Sequence, residues 1–183
     1  MNSYLIVVDM QKDFVDGALG TPEAQAIVDA VCKKIKNWQG PIVVTRDTHE
    51  ENYLETREGK YLPVKHCIRE SEGWQIDKQV QKALDEKSDV TYMNKPTFGS
   101  VDLPQWIAKR QGYVKEDYSS ANDMEITLIG LCTDICVVSN AMVLKATYPE
   151  VNISVDAACC AGVTPASHEA ALTTMKFCQI NIN

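Results

Sequence analysis

Tyr4-Leu-Ile-Val-Val8, then Thr21-Pro-Glu-Ala-Gln-Ala-Ile-Val-Asp-Ala-Val-Cys-Lys-Lys-Ile-Lys-Asn-Trp38, then Ile42-Val-Val-Thr45 is the stretch that decides the fold class. The outer pieces are short, apolar and rich in β-branched residues, which predicts strands. The middle piece puts Ile27, Val28, Val31, Ile35 and Trp38 on one helical face. Thr21 before Pro22 supplies a cap and a first-turn proline, so one helix is expected over Thr21–Trp38. Strand, helix and strand in that order predict a parallel pair joined by a crossover.

Further along, the rhythm repeats. Val90–Met93, Ile126–Ile129 and Ile153–Val155 read as strands, and a sixth is expected through Phe177–Ile182. Asp102–Arg110, Asp134–Thr147 and Pro165–Met175 suit helices. The expectation is therefore an α/β fold: a single domain over residues 1–183, three-layer α/β/α and Rossmann-like, with a mostly parallel sheet. Strand order is not readable, but functional groups in such sheets gather at the carboxyl ends of the strands. Two stretches break the pattern. Arg46–Trp74 is long, polar and poorly periodic, a candidate functional loop, whereas Lys115–Asp123 reads as a solvated loop. Internal repeats, low-complexity segments and linkers are lacking.

Composition narrows the partners. The net charge of −7 argues against a nucleic-acid or anionic-membrane surface. No apolar run approaches the roughly 18 residues of a membrane span. The start lacks the basic region and small-residue cleavage site of a signal peptide, so a cytoplasmic protein is expected. An odd count of seven cysteines with no Cys-x-x-Cys pair does not suggest a disulfide framework, a zinc ribbon or a thioredoxin-type site. Most of these thiols are expected to be small core residues.

One cysteine has a stronger claim. Gly130-Leu-Cys-Thr-Asp-Ile-Cys136-Val-Val follows a strand and leads into an apolar helix, which Thr133 or Asp134 can cap. Cys136 would then lie in the first turn, where unpaired N–H groups and the positive helix end favour a thiolate and could hold an oxyanion. The plain alternative is a buried structural cysteine. Asp9 ends the first strand and would emerge at the same edge, as a base or merely as a turn cap. Lys95 ends a third strand there, as a partner cation or an ordinary solvated lysine. Together the three form a nucleophile, a base and a counter-charge.

A metal signal accompanies them. Asp47 and His49 are two residues apart after Ile42–Thr45, and extended backbone projects such residues to one side. His66 lies further along the same loop. Two imidazoles and a carboxylate suit a divalent metal ion, Zn²⁺ or else Fe²⁺ or Mn²⁺; surface polarity is the alternative. His168, on the last helix, looks structural or exposed.

These anchors, Val8-Asp9-Met-Gln-Lys-Asp-Phe14, Thr45-Arg-Asp47-Thr-His49, His66-Cys67, Lys95-Pro-Thr-Phe-Gly99 and Gly130-Leu-Cys-Thr-Asp-Ile-Cys136-Val, occur in one order over nearly the whole chain. In that order the chain resembles the isochorismatase-like cysteine hydrolases, and within them the nicotinamidase/pyrazinamidase group. The resemblance implies Asp9, Lys95 and Cys136 as the catalytic triad. It also implies a non-proline cis peptide before Cys132, whose N–H joins that of Cys136 in an oxyanion hole. Asp47, His49 and His66 become metal ligands, with Glu58 best fitting an acidic fourth ligand and Glu55 beside it. Phe14, Leu62 and Phe98 match positions flanking the substrate ring.

The implied reaction is hydrolysis of nicotinamide to nicotinate and ammonia through a Cys thioester, with no organic cofactor. The implied partner is a small amide, and family members often form homo-oligomers. Competing readings are a cysteine hydrolase of the same scaffold acting on another small amide or carbamoyl compound, an inactive structural relative, and a non-enzymatic metal-binding or thiol redox-sensing protein oxidised at Cys136 or at Cys159 and Cys160.

Overall fold

A computed structural model describes residues 2–113, 118 and 121–183. In chain order the first half holds β1 (Asn2–Val8), α1 (Lys12–Val15), α2 (Pro22–Ala26), α3 (Val28–Asn37), β2 (Ile42–Asp47), a 3-10 turn at Tyr53–Glu55, α4 (Arg57–Tyr61) and α5 (Lys78–Asp85). The second half holds β3 (Val90–Lys95), α6 (Asp102–Gln111), β4 (Met124–Leu131), a π-turn at Thr133–Val137, α7 (Val138–Thr147), β5 (Asn152–Ala161), α8 (Pro165–Phe177) and β6 (Asn181–Ile182).

The strands form one six-stranded sheet in the order β3-β2-β1-β4-β5-β6, and every pairing is parallel. Period-two alternation gives each face its own core. Leu5 and Val7 of β1 point to the side covered by α3 and α5, packing with Val31, Ile35, Val80 and Leu84. Tyr4, Ile6 and Val8 point to the side covered by α6, α7 and α8, with Ile107, Leu144 and Met175. The central strand is apolar at successive positions because both of its faces are covered.

The chain builds outward from β1 through β2 to β3, then crosses back to lay β4 on the other flank of β1. This reversal opens a crevice at the carboxyl ends of β1 and β4, the position where doubly wound sheets bind ligands. The register brings Val8 level with Thr45 and Gly130, and Asp47 level with Lys95. Residues just beyond these positions therefore meet.

Several sequence expectations are corrected. The helix expected over Thr21–Trp38 is two helices meeting at Ile27, and Trp38 is already extended, although Thr21 does cap the first by accepting from the Ala24 N–H. Helical periodicity alone does not register such a break, because the apolar face continues across it. The sixth strand is only Asn181–Ile182, since α8 continues through Phe177. Arg46 and Asp47 belong to β2, and the loop that follows carries the 3-10 turn and α4. α5 was not anticipated, although Asp77 caps it by accepting from the Gln79 and Val80 N–H groups. The loop expected at Lys115–Asp123 falls largely outside the described residues. All seven cysteines are free thiols, with Cys67, Cys136, Cys159 and Cys160 buried. Among the described residues no helix is long and apolar enough to cross a membrane.

Candidate active site

Asp9 leaves β1 with φ +47°, a left-handed conformation that aspartate tolerates better than most residues. That turn sends its side chain back over the sheet edge. Its N–H donates to the Thr45 carbonyl at 3.2 Å, and the Thr45 hydroxyl donates to Asp9 Oδ1 at 2.7 Å. Oδ2 lies 2.6 Å from Lys95 Nζ, with both side chains buried. Lys95 Nζ is also 3.5 Å from Cys136 Sγ and 3.6 Å from Asp47 Oδ1. The structure thus joins the three residues that three different strand ends were expected to deliver.

Gly130 makes the approach of β4 to β1 possible. Its φ is +116°, and a Cβ there would fall 2.1 Å from the Val8 carbonyl oxygen. Only glycine fits. A non-proline cis peptide joins Leu131 to Cys132, as the resemblance implied.

The helix start differs from expectation. Neither Thr133 nor Asp134 caps it: Cys132 is the N-cap residue, the Thr133 hydroxyl meets His168 Nδ1 at 2.8 Å, and Asp134 accepts from the Val163 N–H. The Cys132 carbonyl accepts from the Ile135 and Val137 N–H groups, both at 3.0 Å. A π-turn thus gives this carbonyl to Val137, where an α-turn would give it to Cys136. The N–H of Cys136 is therefore not held by that carbonyl. His168 itself is half-buried.

Electrostatics also correct the sequence reading. The helix start was expected to favour a thiolate, but burial, reinforced by the Asp9 carboxylate, pushes the Cys136 thiol well up despite the Lys95 charge. Burial likewise raises the Asp9 carboxyl, against the pull of Lys95. Lys95 is raised above the ordinary lysine value: burial opposes its charge, but Asp9, Cys136 and Asp47 outweigh it. Burial thus opposes the charged forms of Cys136 and Asp9, and Lys95 is the cation next to both.

Beside it lies a second group. Ligand atoms of Asp47, His49, Glu58 and His66 all come within 4.8 Å of one another. His49 Nε2 is 3.0 Å from Asp47 Oδ2 and 3.5 Å from Glu58 Oε1, while His66 Nε2 is 3.6 and 3.7 Å from the same two oxygens. Ligand bonds of about 2.1 Å in tetrahedral or octahedral geometry put neighbouring donors about 3.0–3.4 Å apart, so the group is near the required size. His66 Nδ1 donates to the Val64 carbonyl at 2.8 Å, which directs the Nε2 lone pair inward. Burial pushes the Asp47 carboxyl up, but the His49 and His66 rings beside it and the Lys95 charge outweigh it and keep Asp47 below the usual carboxylate range. Glu58, rather than Glu55, is the fourth member. Two imidazoles and two carboxylates fit Zn²⁺, Fe²⁺ or Mn²⁺.

A cavity of about 340 Å³ connects the two groups: Cys132 and Cys136 line it together with Asp47, Glu58 and His66. Its walls include the three expected residues, Phe14, Leu62 and Phe98, and also Leu19, Tyr61 and Ile135, which were not anticipated. Tyr61 directly precedes Leu62, one of the expected wall residues. Sequence reading also missed Thr45 and Asn140. Asn140 Nδ2 donates to the Cys136 carbonyl at 2.8 Å and the Phe98 carbonyl at 3.3 Å, while its Oδ1 accepts from the Ser100 N–H. Its spacing, four residues after Cys136 on one helical face, was the available clue.

Comparisons with known proteins agree with this geometry. The chain superposes on a nicotinamidase/pyrazinamidase from Bacillus subtilis with TM-score 0.82 and 24% identity, over 100% of this chain and 99% of that one. A pyrazinamidase of Pyrococcus horikoshii, solved in complex with zinc, gives TM-score 0.75 and 27% identity over 100% and 99%. An N-carbamoylsarcosine amidase from Thermoplasma acidophilum gives 0.73 and 21% over 100% and 96%. No curated protein sequence matches significantly. The Isochorismatase domain profile matches residues 3–182, and with a fold shared end to end with these hydrolases the chain belongs to the isochorismatase family.

Proposed function

We propose that the protein is a cysteine amidohydrolase that converts nicotinamide to nicotinate and ammonia, with Asp9, Lys95 and Cys136 as its catalytic residues. The observation that carries this reading is the shared cavity: the buried Cys136 thiol and three of the four donors, Asp47, Glu58 and His66, line one ring-sized apolar space, and Lys95, paired with Asp9, lies 3.5 Å from that thiol. The zinc complex of the pyrazinamidase, 27% identical over the whole chain, supports it.

Asp9 takes the proton of Cys136 as sulfur bonds to the carboxamide carbon. Lys95 holds the charge balance of the buried pair throughout. The carboxamide oxygen, now negative, is received by the N–H groups of Cys132 and Cys136, the latter kept off the Cys132 carbonyl by the π-turn. Asp9 returns its proton to the nitrogen, the C–N bond breaks and ammonia leaves a thioester. Asp9 then takes a proton from water as it attacks the thioester carbon, and that proton goes back to the Cys136 sulfur as the acid is released. Asp47, His49, Glu58 and His66 would hold a divalent metal, which supplies a Lewis acid able to bind a pyridine nitrogen and so orient the carboxamide toward Cys136.

The test is ammonia release from nicotinamide, pyrazinamide and N-carbamoyl compounds, each with and without a chelator. Nicotinamide and pyrazinamide should be turned over, and the chelator should suppress that turnover. Cys136→Ala should bind nicotinamide and release no ammonia. Turnover confined to carbamoyl compounds would instead favour an activity like that of the amidase from Thermoplasma acidophilum.

A further inference from the structure

Gln11 and Asp13 belong neither to the triad nor to the four-donor group, yet both direct their side chains at the backbone that carries the donors. Gln11 is fully buried. Its Nε2 donates to the Asp47 carbonyl at 2.8 Å and the Trp74 carbonyl at 2.9 Å, and its Oε1 accepts from the Asp47 N–H at 2.7 Å. One side-chain amide therefore grips the peptide groups on both sides of the Asp47 Cα. With both peptide planes held, the direction in which the Asp47 side chain leaves the backbone is fixed.

Asp13 does the same for the histidines. Its Oδ2 accepts from the Cys67 N–H at 2.7 Å, next to His66, and its Oδ1 accepts from the Ala18 N–H at 3.2 Å. Cys67 sits at φ +47°, a conformation that persists only where its surroundings impose it. The Cys67 carbonyl accepts from the His49 N–H at 3.0 Å, so the hold extends through one residue to the second histidine. Gly73 leaves room for the carboxylate: a Cβ there would lie 2.1 Å from Asp13 Oδ2.

We infer that Gln11 and Asp13 are positioning residues that preorganise Asp47, His49 and His66 for a divalent metal. The inference rests on the metal reading above. Polar partners behind metal ligands fix their orientation, and their loss weakens metal binding by about ten- to a hundredfold. A latch that merely ties the loop to the end of β1 would lower stability without changing the affinity of the folded protein for the ion.

Metal-free wild type, Gln11→Glu, Asp13→Asn and the control Lys12→Gln would be titrated with zinc in competition with a chromophoric chelator, well below the melting temperature of each. Gln11→Glu keeps the shape but turns a donor facing two carbonyls into an acceptor. Gln11→Met, which adds no charge, replaces it if that protein does not fold. Zinc affinity should fall by about tenfold or more in the Gln11 and Asp13 variants and stay unchanged in Lys12→Gln. Saturating zinc should then restore kcat. Unchanged affinity in both variants, or a kcat that saturating zinc does not restore, would overturn the inference. A wild type that takes up no zinc would instead remove the metal reading on which it stands.

Discussion

Removing the Lys95 charge should cost the fold far more than an ordinary surface lysine would. Lys95 Nζ lies 2.6 Å from Asp9 Oδ2, 3.5 Å from Cys136 Sγ and 3.6 Å from Asp47 Oδ1, with 1% of Lys95 and 0% of Asp9 exposed. Lys95→Met fills the space but leaves a buried carboxylate without its cation, a loss of about 3–5 kcal/mol. For a chain of this size each kcal/mol moves the melting midpoint by about 2–4 °C, so a fall of about 6–20 °C is expected at neutral pH. Removing both charges in Asp9→Leu/Lys95→Met should restore most of that loss, because an apolar pair carries no desolvation penalty.

The pH dependence has a definite sign. Burial already raises Asp9 in the folded protein, and without Lys95 only the Thr45 hydroxyl bond opposes that rise. A carboxyl with a folded pKa above its unfolded one favours folding below the unfolded value and loses that contribution as pH rises. The Lys95→Met deficit should therefore shrink as pH falls from neutral toward the ordinary aspartate value of about 4. Melting curves followed by circular dichroism at both ends of that range give the answer. A Lys95→Met midpoint within about 2 °C of wild type, or a double variant less stable than either single one, would refute the buried-pair reasoning.

Other consequences are as direct. With Asp9 as the proposed base, raised by burial, the acid limb of kcat/KM should lie above the ordinary aspartate value, activity being lost as pH falls through it; a limb at or below about 4 would contradict the assignment. Asn140→Ala frees the Cys136 and Phe98 carbonyls together, so KM for nicotinamide should rise by about tenfold, with a melting loss of about 1–3 kcal/mol from the orphaned groups. Gly130→Ala places a methyl group 2.1 Å from the Val8 oxygen and should destabilise the protein by at least about 3 kcal/mol in a denaturant titration.

The sequence was legible where one physical signal acts locally. Apolar β-branched runs such as Tyr4–Val8 reveal strands, and a parallel sheet then puts residues such as Asp9 and Lys95 at one edge without any knowledge of strand order. The Asp47/His49 spacing was readable for the same reason. What stayed hidden depends on contacts between distant segments. The break at Ile27 leaves the apolar face continuous, so periodicity passes over it. The Cys136 thiol was misjudged because a helix start favours its anion, whereas burial against Asp9 opposes it, and burial is settled only by packing. Gln11, Asp13 and Asn140 looked like ordinary polar residues because their partners are backbone groups, which carry no sequence signature.

The most direct measurement is the mass of the Cys136 peptide after the protein has turned over nicotinamide and been quenched in acid. A nicotinoyl group on Cys136, absent from Cys136→Ser and from protein quenched without substrate, is the predicted result. Ammonia release in a burst with no acyl group on that peptide, or one attached to another residue, would contradict the assignment of Cys136 as the nucleophile.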